Sequence, residues 1–215
     1  MLLVLRTEDR PSQGNRLPFR AADLPTKDHY LPDFIRQIMA KAKTSTFTIT
    51  ESIQLSASTG YASIPIGSLI DVGDAQALEI EAVDYSFMTY DTTNDVYRPL
   101  SQGLNITANS DIGVQLTDRN TTEAIDPADN NLISQAQLLR EANGGLYEAA
   151  DMYPDDFKND TGRFVVNDEL YLRVFGNISY QAGYELVVAV RVRAKVVKLS
   201  TRDWMAISLE TVQNE

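Results

Sequence analysis

An antiparallel all-β sandwich of about eight strands is the fold class this sequence predicts, and three observations carry it. Segments of period-two hydrophobicity recur from residue 44 to about residue 200, with turn signals between them. No strand pattern alternates with a helix of crossover length, so a parallel sheet has no connections to build on. No internal repeat stands at a fixed period, which excludes solenoids and propellers.

The bulk numbers agree with one large domain plus extensions. The chain has 215 residues, 43% of them hydrophobic, enough for a core and too many for a disordered chain. The formal net charge is -11 and the pI about 4.6. That balance argues against coating nucleic acid by charge, because such binding rests on Lys and Arg neutralising phosphates. The absence of cysteine excludes disulfide scaffolds, thiolate nucleophiles and cysteine-based zinc sites. The apolar start Met1–Leu5 is shorter than the roughly 7–15 residues of a secretory signal. No apolar run reaches the about 20 residues of a spanning helix.

Residues 1–30 read as a polar arm containing Pro11, Pro18 and Pro25, one that orders only against a surface or partner. A short amphipathic helix is expected over 31–43. Pro32 and Asp33 suit its first turn, Lys41 and Lys43 its last, and Phe34, Ile35, Ile38, Met39 and Ala42 share a face. The sandwich is expected over 44–200. Phe47, Ile49, Ile53 and Leu55 alternate with Thr and Ser, as in a strand with one wet face. Glu51 breaks that apolar register, through either pairing or a bulge. Tyr61–Ile66 with Pro65 suits an edge strand. In the next strand Leu78, Ile80 and Ala82 lie on one parity, then Val83, Tyr85 and Phe87 on the other, so one residue must be inserted near Ala82 or Val83.

Shorter strands are expected around 96–100, 104–107 and 112–117. Residues 118–162 read as a long insertion, partly helical: Leu132, Ala136 and Leu139 suggest a helix over 132–143 that ends at Asn143-Gly144-Gly145. Strands return at 164–166 and 170–175. The last strand, 184–199, is the clearest, with Tyr184, Leu186, Val188, Val190, Val192, Ala194 and Val196 on one parity and Glu185, Arg191, Arg193 and Lys195 on the other. The tail 201–215 carries Trp204, Ile207 and Leu209 and can cap or dock.

No catalytic, cofactor-binding or metal-ligating residue is assigned, and no cofactor is expected. His29 is the only histidine and lies in the arm, so imidazole metal sites and a Ser-His-Asp triad have nothing to build on. Phosphate loops and a Gly-x-Ser-x-Gly elbow are absent. Asp126, Asp129 and Asn130, and later Asp155, Asp156 and Asp160, do not follow the spacing of a calcium loop and read as solvated acidic loops. A carboxylate pair of the glycosidase kind leaves no local motif and stays open. The stripe Arg191, Arg193, Lys195 is expected to meet acidic groups on an adjacent strand or subunit. Asn105, Asn120, Asn159 and Asn177 begin glycosylation sequons.

The polar arm, the short helix, the alternating segment from Thr46 to Leu55, the helical insertion and the long closing strand Tyr184–Leu199 together resemble single jelly-roll capsid subunits of icosahedral viruses. The acidic, cysteine-free composition is similar to those of archaeal viruses. The resemblance spans about residues 30–200 and is architectural. It implies a jelly roll, a non-enzymatic structural role as a self-assembling shell subunit, and location in the virion. The implied partners are copies of itself and other shell subunits, with an internal membrane or an underlying virion protein as candidates beneath them. Strong nucleic-acid binding is not expected, since residues 1–43 hold eight Lys and Arg against five Asp and Glu, well short of a dense basic run. The alternative is a β-sandwich spike, tail or carbohydrate-binding module, with Tyr147 or Tyr153 as its aromatic platform.

Overall fold

The segment with the cleanest alternation organises the structure. In the computed structural model, which describes residues 40–105, 107–121, 123–148 and 163–212, it is the central strand of the larger sheet. All described residues fall in the unit Gln37–Glu215. The expected arm, and the expected helix as far as residue 39, lie outside them.

Eleven strands are described: β1 (Lys41–Ala42), β2 (Phe47–Leu55), β3 (Gly60–Pro65), β4 (Gln76–Asp91), β5 (Val96–Pro99), β6 (Ser110–Thr117), β7 (Leu132–Arg140), β8 (Leu146–Glu148), β9 (Arg163–Val165), β10 (Glu169–Asn177) and β11 (Tyr184–Lys198). A helical turn, α1 (Leu100–Gly103), follows β5, and helix α2 (Thr201–Val212) follows β11. In the first sheet β11 pairs with β2 on one side and β4 on the other, and β4 pairs with β9. In the second the order is β3-β10-β6-β7-β8. Leaving out the short β1, β5 and β8 and counting the remaining eight in chain order gives 1-8-3-6 opposite 2-7-4-5. That is the strand order of a jelly roll. The short strands extend edges: β1 continues the β2 side of β11, β5 pairs the far end of β4, and β8 adds to β7.

The main core lies between the inner faces. Leu186, Val188, Val190, Val192 and Ala194 of β11 are fully buried there against Ile112, Val114 and Leu116 of β6 and Leu170, Leu172 and Val174 of β10. Each large aliphatic group so placed contributes about 1.5–3 kcal/mol. The parity switch of β4 is resolved by one inserted residue. Arg193 pairs Ala82 while Ala194 pairs Ile80, so Glu81 is the bulge, one position before the expected place. It lets Leu78 and Ile80 face the core on one parity, and Val83, Tyr85 and Phe87 on the other.

A second, smaller core sits on the opposite face of the first sheet. Ala77, Phe164, Val166, Val197 and Leu199 pack there under Trp204 and Ile207 of α2. Ser200 starts that helix: its hydroxyl accepts the Asp203 amide at 3.2 Å. Trp204 Nε1 donates to the Gln76 carbonyl at 3.2 Å and fixes the helix to β4.

Three expectations are corrected. The helix over 132–143 is strand β7. Its spacing imitated a helix because Ile133 is itself a bulge: Leu116 pairs Ser134 while Thr117 pairs Leu132. Leu132 and Ile133 are consequently buried side by side and the period of two is lost. At Lys41–Ala42, where the sequence predicts the last turn of a helix, the chain is strand β1, because the far end of β11 offers a ladder; Lys43 N–H reaches the Val196 carbonyl at 2.8 Å. The strand expected at 104–107 is a single bridge, Leu104 to Tyr180. The Asn105 side chain there accepts the Thr107 amide at 3.1 Å and turns the chain.

Gly176 is the position where the sheet most needs a missing side chain. Its φ is 141°, and an added Cβ would meet the Asp111 carbonyl oxygen of the neighbouring strand. Gly176→Ala is therefore expected to lower the free energy of urea unfolding by more than about 1 kcal/mol. Gly67→Ala, whose nearest neighbour is the Asp168 side chain at 3.3 Å, is expected to cost less.

Candidate functional site

The residues singled out in the sequence lie on surfaces rather than in one cleft. Lys195 is matched on the adjacent strand, as expected: Nζ lies 3.1 Å from both Glu79 and the bulge residue Glu81. Burial pulls its pKa down, but the two carboxylates outweigh it and the net shift is upward. Thr46 Oγ1 donates to the other Glu81 oxygen at 3.1 Å, so the bulge also anchors the lead into β2. Arg191 and Arg193 project outward from the same face, opposite Thr50 and Asp84 and opposite Thr48 and Ala82.

Glu51 needs no bulge, since β2 runs in unbroken register with β11 from Phe47 to Leu55. It shares the inward parity of Ile49 and Ile53. Its Oε1 accepts the Ser52 amide at 3.0 Å. An amide spent on a side chain is not in the ladder to β11. It belongs to the strand's other edge, where β2 has no pairing partner among the described residues. An inward charge on an edge strand is a known guard against unwanted strand addition.

The acidic loop binds itself. Asp126 Oδ1 accepts the Ala128 amide at 2.8 Å, and Asp129 Oδ1 accepts both the Asn131 amide and its side-chain Nδ2. Among the described residues no group of three or more His, Cys, Asp or Glu is placed to hold a metal. Tyr147 lies in β8; Tyr153, Asp155, Asp156, Asp160 and His29 lie outside the described residues.

Sequence reasoning missed two features. The first is the β6–β7 loop, which folds over the outer face of the second sheet. Gln115 holds it like a peptide group: Nε2 donates to the Ile125 carbonyl at 2.9 Å and Oε1 accepts the Ile125 amide at 3.0 Å. The second is a charge cluster where β6 ends. Asp118, only 3% exposed, meets Arg163 of β9 at 3.1 Å and ties the two sheets together. Arg163 also donates to the Asn130 carbonyl, and Asn167 to the Asp118 carbonyl. Asp118 Oδ1 is buried with no partner. Burial raises the carboxyl to about 6, against the opposing pull of Arg163.

Large apolar groups are exposed at several places, among them Tyr61 on β3, helix α2 and the β4–β5 hairpin. Met205 and Leu209 sit one turn apart on α2, away from its Trp204 and Ile207 contacts. At the β4–β5 hairpin Tyr97 stacks at a tilt on Tyr90, with ring centroids 5.3 Å apart, while Tyr90 donates to Asp95. Within the described residues no helix is long and apolar enough to cross a membrane.

No family model and no curated protein matches the chain. Among solved structures it is similar to VP1 of Trichodysplasia spinulosa-associated polyomavirus, with a TM-score of 0.45 at 7% identity over 75% of this chain and 100% of that chain. The same protein in complex with 3'-sialyllactose gives 0.44 at 7% over 76% and 98%. VP1 of Merkel Cell Polyomavirus in complex with disialyllactose gives 0.42 at 8% over 75% and 99%. Each is a polyomavirus protein rather than one of an archaeal virus.

The Asp118 cluster sets a pH dependence with a definite sign. A carboxyl at about 6 in the fold and 3.8 in the unfolded chain binds its proton more tightly when folded. Stability tied to it is gained as pH falls from 7 towards 4 and lost as pH rises again, by about 3 kcal/mol in all. Asp118→Asn removes that dependence. The difference in Tm, wild type minus variant, is expected to grow as pH is lowered from 7 to 4; a difference that stays level would show that Asp118 titrates normally.

Proposed function

We propose that this chain is a structural shell subunit of a virus particle, acting by assembly with copies of itself and not by catalysis. The observation that carries the reading is the strand order, 1-8-3-6 opposite 2-7-4-5. This jelly roll is used by viral shells, lectins and cupins. Cupin chemistry needs several histidines, and the only one here is His29, in the arm.

The surface supports assembly. The first sheet shows solvent the exposed side chains of Thr48, Thr50, Ser52, Arg191 and Arg193, and α2 shows Met205 and Leu209. The β2 edge is guarded by Glu51, which favours contacts through side chains over strand addition. The segment 1–30, with Leu2, Leu3, Val4, Leu5, Leu17, Phe19 and Leu24, supplies apolar anchors for a neighbouring subunit. Sister subunits in the same shell, and a membrane or second protein beneath it, belong to the same proposal.

The full chain is expected to form capsomers or closed shells by analytical ultracentrifugation and negative-stain electron microscopy. Deleting residues 1–30 is expected to leave the β-rich circular dichroism spectrum unchanged and to abolish those particles. A full chain that stays monomeric under all salt and pH conditions, or normal particles from the truncated chain, would overturn the reading. Specific glycan binding by a monomer would favour the carbohydrate-binding alternative.

A further inference from the structure

Where β6 begins and β7 and β10 end, at the end of β6 opposite Asp118, a pocket of about 360 Å³ opens around Arg140. That volume is at the lower end of small-molecule sites. Arg140 stands directly across the ladder from Ser110 and is 8% exposed. Its buried Nε has no acceptor, and no carboxylate among the described residues lies within ion-pair distance of the guanidinium. A buried cation without a counter-charge is costly, and proteins leave one in place rarely.

The groups around it account for what is missing. The Asn109 side-chain oxygen is taken by the Ala142 amide at 2.7 Å, and Ser110 Oγ by the Ser179 amide at 3.1 Å. Asp111 Oδ1 is taken by Gln137 Nε2 at 2.8 Å. These three acceptor oxygens are thus committed within the fold. The Arg140 guanidinium, the Asn109 amide hydrogens and the Ser110 hydroxyl hydrogen are left as donors into one space. A guanidinium flanked by surplus donors suits a planar, acceptor-rich group such as a carboxylate. Asp111 and Glu141 also line the pocket, so two carboxylates stand against one guanidinium; they oppose any anion, a dianion more strongly than a monoanion, and a ligand is held by direct contact with Arg140.

We propose that the Arg140 pocket is a binding site for a monoanionic carboxylate, carried either by a small organic acid or by an acidic side chain of a second copy of this chain. It rests on the pocket's own chemistry and holds whether or not the chain builds a shell.

The test uses the full chain, with sodium acetate as the small-acid probe against sodium chloride and sodium phosphate at equal ionic strength. If a free acid is the ligand, saturating acetate raises Tm by at least about 3 °C over chloride. The rise is absent in Arg140→Met and kept in Glu141→Gln. If a second copy supplies the carboxylate, acetate leaves Tm unchanged, but Arg140→Met weakens self-association in sedimentation by about tenfold and acetate competes with it in the wild type. Without ligand, Arg140→Met is expected to unfold at the same temperature as the wild type or higher, because it removes an uncompensated buried charge. A variant that simply loses stability would mark Arg140 as structural. A phosphate effect equal to that of acetate, or no effect of acetate on either Tm or association, would overturn the proposal.

Discussion

The ladder between β4 and β11 is the interaction on which the other parts depend. It runs from Tyr184 opposite Asp91 to Lys198 opposite Gln76. At about 3.3 Å per residue it spans roughly 50 Å, the full height of the sandwich. Every other strand of the first sheet pairs with one of these two. A ladder that long twists, and a uniform alternation of side chains cannot serve both its ends. Glu81 absorbs the mismatch. By re-phasing β4 it allows a core on one face of the sheet for most of its height, and the Ala77, Val197 and Trp204 cluster on the other face near the end. Lys195, held by Glu79 and Glu81, keeps the inserted residue in place from the wet side.

The two sheets are treated differently by solvent, and this decided what could be read from the sequence. The strands of the first sheet have one wet face over most of their length, so β2, the second half of β4 and β11 write their orientation as alternation. The second sheet is covered on both sides at β6, where Gly113, Gln115 and Thr117 are as buried as Ile112, Val114 and Leu116. A strand buried on both faces loses its period, and β7 with its bulge at Ile133 took on a helical spacing instead. The correct signal there was local: Gln135 and Gln137 set polar groups two apart, as a strand would.

The side-chain clusters were not legible, for a reason of distance along the chain. Asp118 meets Arg163, 45 residues away, and Asn167, 49 residues away. Arg140 draws its surroundings from Ser110 and Asn177, which only the strand order brings beside it. Composition said that acidic groups were abundant, and it could not say which of them would be carried out of water. The expectation for Lys195 succeeded because its partners lie on the adjacent strand of the best-read ladder.

Glu51 has a consequence for the geometry of growth. Strand addition at an open sheet edge joins unlike surfaces, and each added molecule presents the same edge again, so the process has no built-in end and yields fibres. A carboxylate set among the inward residues of β2 makes that route costly, because an incoming strand would have to desolvate it and displace it from the Ser52 amide. Association of such a molecule is left to faces, loops and chain ends, whose fixed angles can close on themselves. One charge at the middle of a nine-residue strand thus weighs against open-ended growth through the β2 edge, which has no strand partner among the described residues.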